Sequence, residues 1–144
     1  MRNVFALLIT IALTLSCAAC EHAEPRPESY SEINYTQLIH EIELDVDKAA
    51  DTYVGKCYQT FVYIDYISND KESFTSTAKT SAKDFEIRII GSVLDEEDQT
   101  AISGAIGKPI QIRGRITEIT SNSNANIKIN MDIYEIVLWY DYFS

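Results

Sequence analysis

The chain has 144 residues, 46% of them hydrophobic, with 12 Lys and Arg against 22 Asp and Glu, a formal net charge of −10. That length suits one domain of ordinary size. So acidic a balance counts against gripping a phosphate backbone, which needs Lys and Arg to neutralise it, and against lying flat on anionic lipid. It is the balance of a domain kept soluble by self-repulsion.

Residues 1–20 come first. Arg2 precedes an apolar run from Val4 to Leu15, and small residues then close on cysteine. This is the anatomy of a secretory signal, too short to span a bilayer as a mature helix. Small residues followed by Cys resemble the lipobox of bacterial lipoproteins, whose Cys becomes the acylated N-terminus. Ala18-Ala19-Cys20 has the better small pair and makes Cys20 the preferred lipidation site. Thr14-Leu15-Ser16-Cys17 has the apolar lead-in and makes Cys17 the alternative. A plain cut near Ala18 or Ala19 would instead release an unlipidated product. The resemblance implies export and a lipid anchor in a bacterial membrane, facing the periplasm or the cell exterior; where the cell has an outer membrane, it is that one. The choice also bears on Cys57: with lipid on Cys20 it is left alone, with lipid on Cys17 a free Cys20 could reach it for a disulfide, and the plainer reading is a small packed residue.

Residues 21–32, polar and with Pro25 and Pro27, read as a flexible tether, and residues 33–144 as the folded domain. Removing Arg2 with the leader takes the net charge from −10 to −11.

Asn34 opens a helix, with Gln37 three residues on as the partner of a capping box. Apolar residues at Tyr35, Leu38, Ile39, Ile42, Val46, Ala49, Ala50 and Tyr53 hold a helical stripe for about five turns, and Gly55 supplies the stop. The pattern then becomes extended. Lys56 to Ile67 is a long strand, with Tyr58, Thr60, Val62, Ile64 and Tyr66 on one face and Cys57, Gln59, Phe61, Tyr63 and Asp65 on the other. Phe74 to Thr80 and Phe85 to Ile90 give two more strands. Asp95 to Asp98 start a short helix with acids in its first turn.

Pro109 to Ile119 alternates again, interrupted by Gly114, a residue that marks a bulge or barrel bend within a strand. After the polar loop at 120–126, Ile127, Ile129, Met131 and Ile133 alternate against Lys128, Asn130 and Asp132. From Tyr134 to Leu138 the run is more densely apolar, as in a strand turning a corner. No internal repeat or second domain is visible.

The order predicts a mainly β (α+β) chain: a five-stranded OB-fold Greek-key barrel with an extra N-terminal helix and a short helix between strands 3 and 4. An open sheet covered by the first helix is the alternative. Two segments, Tyr53-Val-Gly-Lys56 and Ile106-Gly-Lys-Pro-Ile-Gln-Ile-Arg-Gly-Arg-Ile116, each lead into a strand. They resemble the tRNA-anti-like OB-fold family of bacterial lipoproteins and small exported proteins, over roughly Ile33 to Val137. Many relatives carry a Gly in the first strand where this chain has Phe61-Val62, so its curvature there differs. The family has no agreed catalytic residues, so the resemblance implies a fold and an address, not a reaction.

OB domains stack bases on aromatics and track the backbone with cations. Tyr58, Tyr63 and Tyr66 with Arg88, Arg113 and Arg115 could form such a face. The plainer reading places the tyrosines in the core or at the rim and pairs the arginines with acids. Acidic charge and export both weigh against nucleic acid. Trp139, Tyr140 and Tyr142 either pack across the barrel mouth or offer interface anchors to a partner.

His22 and His40 have no ligand spacing, so no metal site is expected, and no cofactor motif is present. No nucleophile elbow accompanies His40, so no catalysis is expected. These readings add up to a non-catalytic, lipid-anchored binding module with an envelope protein partner. An oligonucleotide- or oligosaccharide-binding OB domain is the alternative.

Overall fold

Asn34 starts the first helix: its side chain accepts a hydrogen bond from the Gln37 amide at 3.2 Å, partnering an amide that a helix start leaves open. The computed structural model describes residues 27–78, 85–93, 95–122 and 126–138. In it the expected single helix is two, α1 (Tyr35–Leu44) and α2 (Val46–Tyr53). Asp45 makes the break. Its backbone is extended (φ −167°, ψ 105°), and its amide still bonds back to the Glu41 carbonyl at 3.0 Å. Its carboxylate accepts from the Asp47 and Lys48 amides at 3.1 and 3.2 Å, so one residue ends α1 and starts α2. The capping box is only half made, because the Gln37 side chain turns to Glu41 (2.7 Å) instead. Gly55, at φ +82°, then takes the left-handed position that ends α2.

The strands are β1 (Ser31–Glu32), β2 (Cys57–Ile67), β3 (Ser73–Ala78), β4 (Glu86–Val93), β5 (Pro109–Ser121) and β6 (Asn126–Leu138), with α3 (Glu96–Ser103) between β4 and β5. Their order is β1-β2-β3-β4-β6-β5, and β5 pairs back with β2. Strands β2, β3 and β4 form an antiparallel meander; β4 lies parallel to β6; β5 is antiparallel to both β6 and β2. The β2–β5 register runs without interruption from Cys57–Arg115 to Tyr63–Pro109. That seam closes the sheet into a five-stranded barrel and excludes the open-sheet alternative. Ser31 and Glu32, tether by composition, pair in parallel with Tyr58 and Gln59.

Alternation fills the barrel. Val62, Ile64, Phe74, Ile87, Ile89, Ile110, Ile112, Ile116, Ile129 and Met131 are essentially inaccessible to solvent. Each contributes roughly 1.5–3 kcal/mol relative to exposure, and the chain entropy lost on folding offsets most of the sum. Leu38, Ile39, Ile42, Ala49 and Tyr53 extend this core beneath the two helices. The Tyr35 hydroxyl meets Thr60 Oγ1, tying α1 to β2.

Extra residues bend the strands at three places. The β2–β3 register skips Asp65, and the β5–β6 register skips Thr117 and Tyr134. Tyr134 is where the apolar pattern of the last strand changes. Opposite it, a Cβ on Gly114 would collide with the Asp132 carbonyl, so the expected bend needs this glycine for close backbone approach. In α3, Asp95 accepts from the Asp98 amide at 2.8 Å, and Glu96, Glu97 and Asp98 occupy the first turn. Ile102 and Ala105 are buried at its far end.

Candidate ligand face on the barrel wall

Residues facing outward from a barrel line up across strands according to register. Tyr63 on β2 pairs with Thr77 on β3, Thr77 with Arg88 on β4, Arg88 with Lys128 on β6, and Lys128 with Thr120 on β5. The five form one continuous outer row; Arg88, Lys128 and Thr120 are exposed, Tyr63 and Thr77 half-buried. The neighbouring row contains Tyr66, Thr75, Ile90, Asn130 and Glu118. Tyr66 is 57% exposed.

The extra residue Asp65 is what brings Tyr66 here. Simple alternation would put it inward with Ile64; the bulge returns it to the outer face beside Tyr63. Asp65 itself accepts from Thr77 Oγ1 at 2.7 Å.

At the far end of the row lies a cleft of about 350 Å³, lined by Glu86, Arg88, Thr120, Ser121, Asn122, Asn126, Ile127 and Lys128. Arg88 forms an ion pair with Glu86 at 2.6 Å, with both side chains about half exposed. Such a pair is worth under about 1 kcal/mol and exchanges readily. Among the described residues, no ion pair engages Lys128. The cleft therefore holds two cations against one acid on an acidic protein. Hydroxyls and amides surround them, with aromatics at the other end of the row. This arrangement can hold polar or anionic groups along an extended ligand and stack a flat group on Tyr63 or Tyr66.

Of the six face residues expected from sequence, Tyr63, Tyr66 and Arg88 come together here. Tyr58 does not. It is 9% exposed, inward-facing, with its ring centroid 5.8 Å from that of Tyr53. Burial, and then the Glu41 carboxylate, push both phenols up, Tyr53 to about 12. Tyr58 is a packing residue at the contact between α2 and the barrel.

Arg113 and Arg115 point outward on β5 but in other rows. Arg113 bonds Gln59 Oε1 (3.3 Å) and Glu135 (2.9 Å) and lies under the Tyr30 ring, 5.8 Å from its centroid. It clamps the segment before β1 to the wall. Arg115 pairs with Asp132 (3.2 Å), which also accepts from Ser92 Oγ at 3.1 Å. Both guanidiniums are committed to carboxylates. Cys57 is half-buried, with Arg115 as its register partner.

Cys17, Cys20, His22, Trp139, Tyr140 and Tyr142 lie outside the described residues, as do loop positions 123–125. His40 is exposed on α1. Among the described residues no group of three His, Cys, Asp or Glu is arranged to hold a metal, and no helix is long and apolar enough to cross a membrane. Sequence reading passed over Lys128, Thr77 and Thr120. The alternation of the last strand put Lys128 on its polar face, but its neighbours belong to β4 and β5, which pair with β6 only in the folded barrel.

Strand order, the β2–β5 closure and the helix between β4 and β5 define the class: an OB-fold domain. No protein-family model and no curated protein matches the chain. Among solved structures it is similar to a Leishmania major Friedlin protein described as an aspartyl-tRNA synthetase. Identity there is 9% and TM-score 0.44, over 79% of this chain and 22% of that one. It is also similar to the SSB domain of a Synechococcus sp. protein, at 8% identity and TM-score 0.34, over 57% of this chain and 93% of that one. The chain thus spans under a quarter of the first of these proteins, and the OB assignment rests on its own strand order.

Proposed function

We propose that this is a non-catalytic OB-fold binding module of the bacterial cell envelope, anchored by lipid on Cys20, with Cys17 the alternative, and that it engages an envelope protein along the row from Tyr63 to Thr120. The observation that carries this reading is the row itself: aromatic, hydroxyl and cationic groups aligned on five strands beside a cleft of about 350 Å³. The apolar leader ending in cysteine and the likeness to tRNA-anti-like lipoproteins support the address. The net charge of −10 favours a protein over a nucleic-acid ligand.

The test is site-specific photo-crosslinking in intact cells, from probes at Thr77 and, as a control, at Asp51 on α2. An envelope protein captured from Thr77 and not from Asp51 is the expected result. Equal capture from both, or none, overturns it. Mass spectrometry of the mature N-terminus separates lipidated Cys20, lipidated Cys17 and a plain cut.

A second reading, an oligonucleotide or oligosaccharide ligand, is favoured by Tyr63 and Tyr66 standing in rows that also carry Arg88 and Lys128. Single-stranded oligonucleotide binding that weakens steeply with salt would support its nucleic-acid form; no binding at low salt removes that form.

A further inference from the structure

Where β5 meets β6, each outward arginine faces an acid. Arg113 is the register partner of Glu135 and Arg115 of Asp132, and they close to ion pairs of 2.9 and 3.2 Å. Where β4 meets β6 that matching breaks down. Arg88 faces Lys128, and the next residues on either side are Thr77 on β3 and Thr120 on β5. Two cations thus stand together in a chain with 22 acids for 12 Lys and Arg. Register partners of like charge repel.

The acids nearby leave that repulsion in place. Glu86, two residues before Arg88 on the same strand, pairs with it at 2.6 Å, and both side chains stay about half exposed. Glu118, one row away, accepts from Asn130 Nδ2 at 2.5 Å. Lys128 is exposed, and among the described residues no ion pair engages its ammonium. Neighbouring strands lie about 4.8 Å apart, so a guanidinium and an ammonium on register partners can close on the two oxygens of one carboxylate. Thr120 adds a hydroxyl to the wall of the same cleft of about 350 Å³.

We propose that the cleft recognises an acidic segment of the bound protein: one Asp or Glu side chain enters it, bridges Arg88 and Lys128, and takes the place of Glu86 on the guanidinium. This rests on the reading of the row as a protein-binding face and names the chemistry that the face selects. An exposed pair such as Arg88 with Glu86 contributes little and exchanges readily. The gain comes from Lys128, which acquires a counter-charge, and from relief of the repulsion across β4 and β6. A single carboxylate suits the cleft better than a phosphate chain. Arg88 and Lys128 against Glu86 leave a surplus of one cation, enough for one anionic group. Every further phosphate would meet a protein of net charge −10.

The test is an NMR titration of the mature protein in nonionic micelles with two end-capped peptides, Gly-Glu-Gly-Glu-Gly and Gly-Gln-Gly-Gln-Gly, at millimolar concentration. The glutamate peptide is expected to shift the backbone amides of Arg88, Thr120 and Lys128, and the glutamine peptide to leave them in place. Lys128→Ala should weaken the response several-fold. Glu86→Gln, which removes the competing carboxylate, should strengthen it several-fold, a direction that loss of a merely structural ion pair would not produce. Both positions are exposed, and an otherwise unchanged spectrum reports an intact fold. Equal shifts from the two peptides, no shifts, or weaker binding by Glu86→Gln overturn the proposal. An oligothymidylate that displaces the glutamate peptide at lower concentration assigns the cleft to nucleic acid and equally overturns it. The broader reading fails separately. Capture from the Thr77 probe that survives Arg88→Ala with Lys128→Ala removes the acidic segment and leaves the protein-binding face, whereas peptide discrimination without any capture does the reverse.

Discussion

Arg88 and Lys128 are register partners on the parallel strands β4 and β6, and both are exposed on the outer wall of the barrel. Like charges directly opposite one another on a sheet face are destabilising. Glu86 offsets part of that by pairing with Arg88 at 2.6 Å. The pair therefore gains little for the fold.

Removing the two cations should accordingly separate binding from stability. Arg88→Ala combined with Lys128→Ala is expected to leave folding stability within about 0.5 kcal/mol of wild type. Capture of the envelope protein from the Thr77 probe should be lost. If the ligand is instead a single-stranded oligonucleotide, the slope of log affinity against log salt should fall by about 2. Urea unfolding, crosslinking yield and a salt series measure the three quantities.

Gly114 should tolerate no side chain. Its missing Cβ is where the Asp132 carbonyl lies, and that carbonyl belongs to the backbone of a paired strand and cannot rotate away. Gly114→Ala is expected to cost roughly 1–3 kcal/mol through forced strand displacement, seen as a lower urea midpoint. A Gly104→Ala control, where the nearest atom is an ordinary 3.8 Å away, should shift the midpoint far less.

Asp45 caps two helices at once, so its substitution should be felt in both. Asp45→Ala removes the acceptor for the Asp47 and Lys48 amides and is expected to cost about 1 kcal/mol, up to about 2. Asp45→Asn keeps an acceptor oxygen and should retain most of that stability. Chemical denaturation together with helical circular dichroism distinguishes the two variants.

At alkaline pH the domain should weaken in a defined window. Tyr53 is raised to about 12 by burial, then by the Glu41 charge and a hydrogen bond with it; burial and Glu41 also raise Tyr58. An unfolded tyrosine titrates near 10. Below that pH the phenol is neutral in both states, and the stability linked to it is fully present. Between about 10 and about 12 the unfolded chain gives up its proton first, so stability falls, levelling off once folded Tyr53 has also ionised. Denaturant midpoints across this range should follow that course. Glu41→Gln should bring the Tyr53 titration, read by tyrosinate absorbance, back toward 10.

The strands of the barrel are legible in the sequence because one face of each is buried, and burial on alternate positions is a local pattern. Ile110, Ile112 and Ile116 on β5 and Ile127, Ile129, Met131 and Ile133 on β6 show it, up to the extra residues Thr117 and Tyr134. The acidic start of α3 and the bend at Gly114 are also local statements. The helix break at Asp45 was present in the residues too, since an aspartate two and three positions ahead of open amides is a capping site. The apolar stripe runs straight through it and masks it.

The sequence by itself determined which residues are apolar, how they alternate, and hence five strands and the helices flanking them. It could not say which outward residues stand together, because that depends on pairing between strands far apart in the chain. The extra residue at Asp65 exists only in the register of β2 against β3, and it moves Tyr66 to the side of Tyr63 while Tyr58 stays in the core. The antiparallel pairing of β5 with β6 sets Arg113 opposite Glu135 and Arg115 opposite Asp132, their carboxylate partners. The parallel pairing of β4 with β6 sets Lys128 beside Arg88. Alternation is fixed by neighbours one and two residues away, whereas a surface site is fixed by register, and register is a property of the folded barrel.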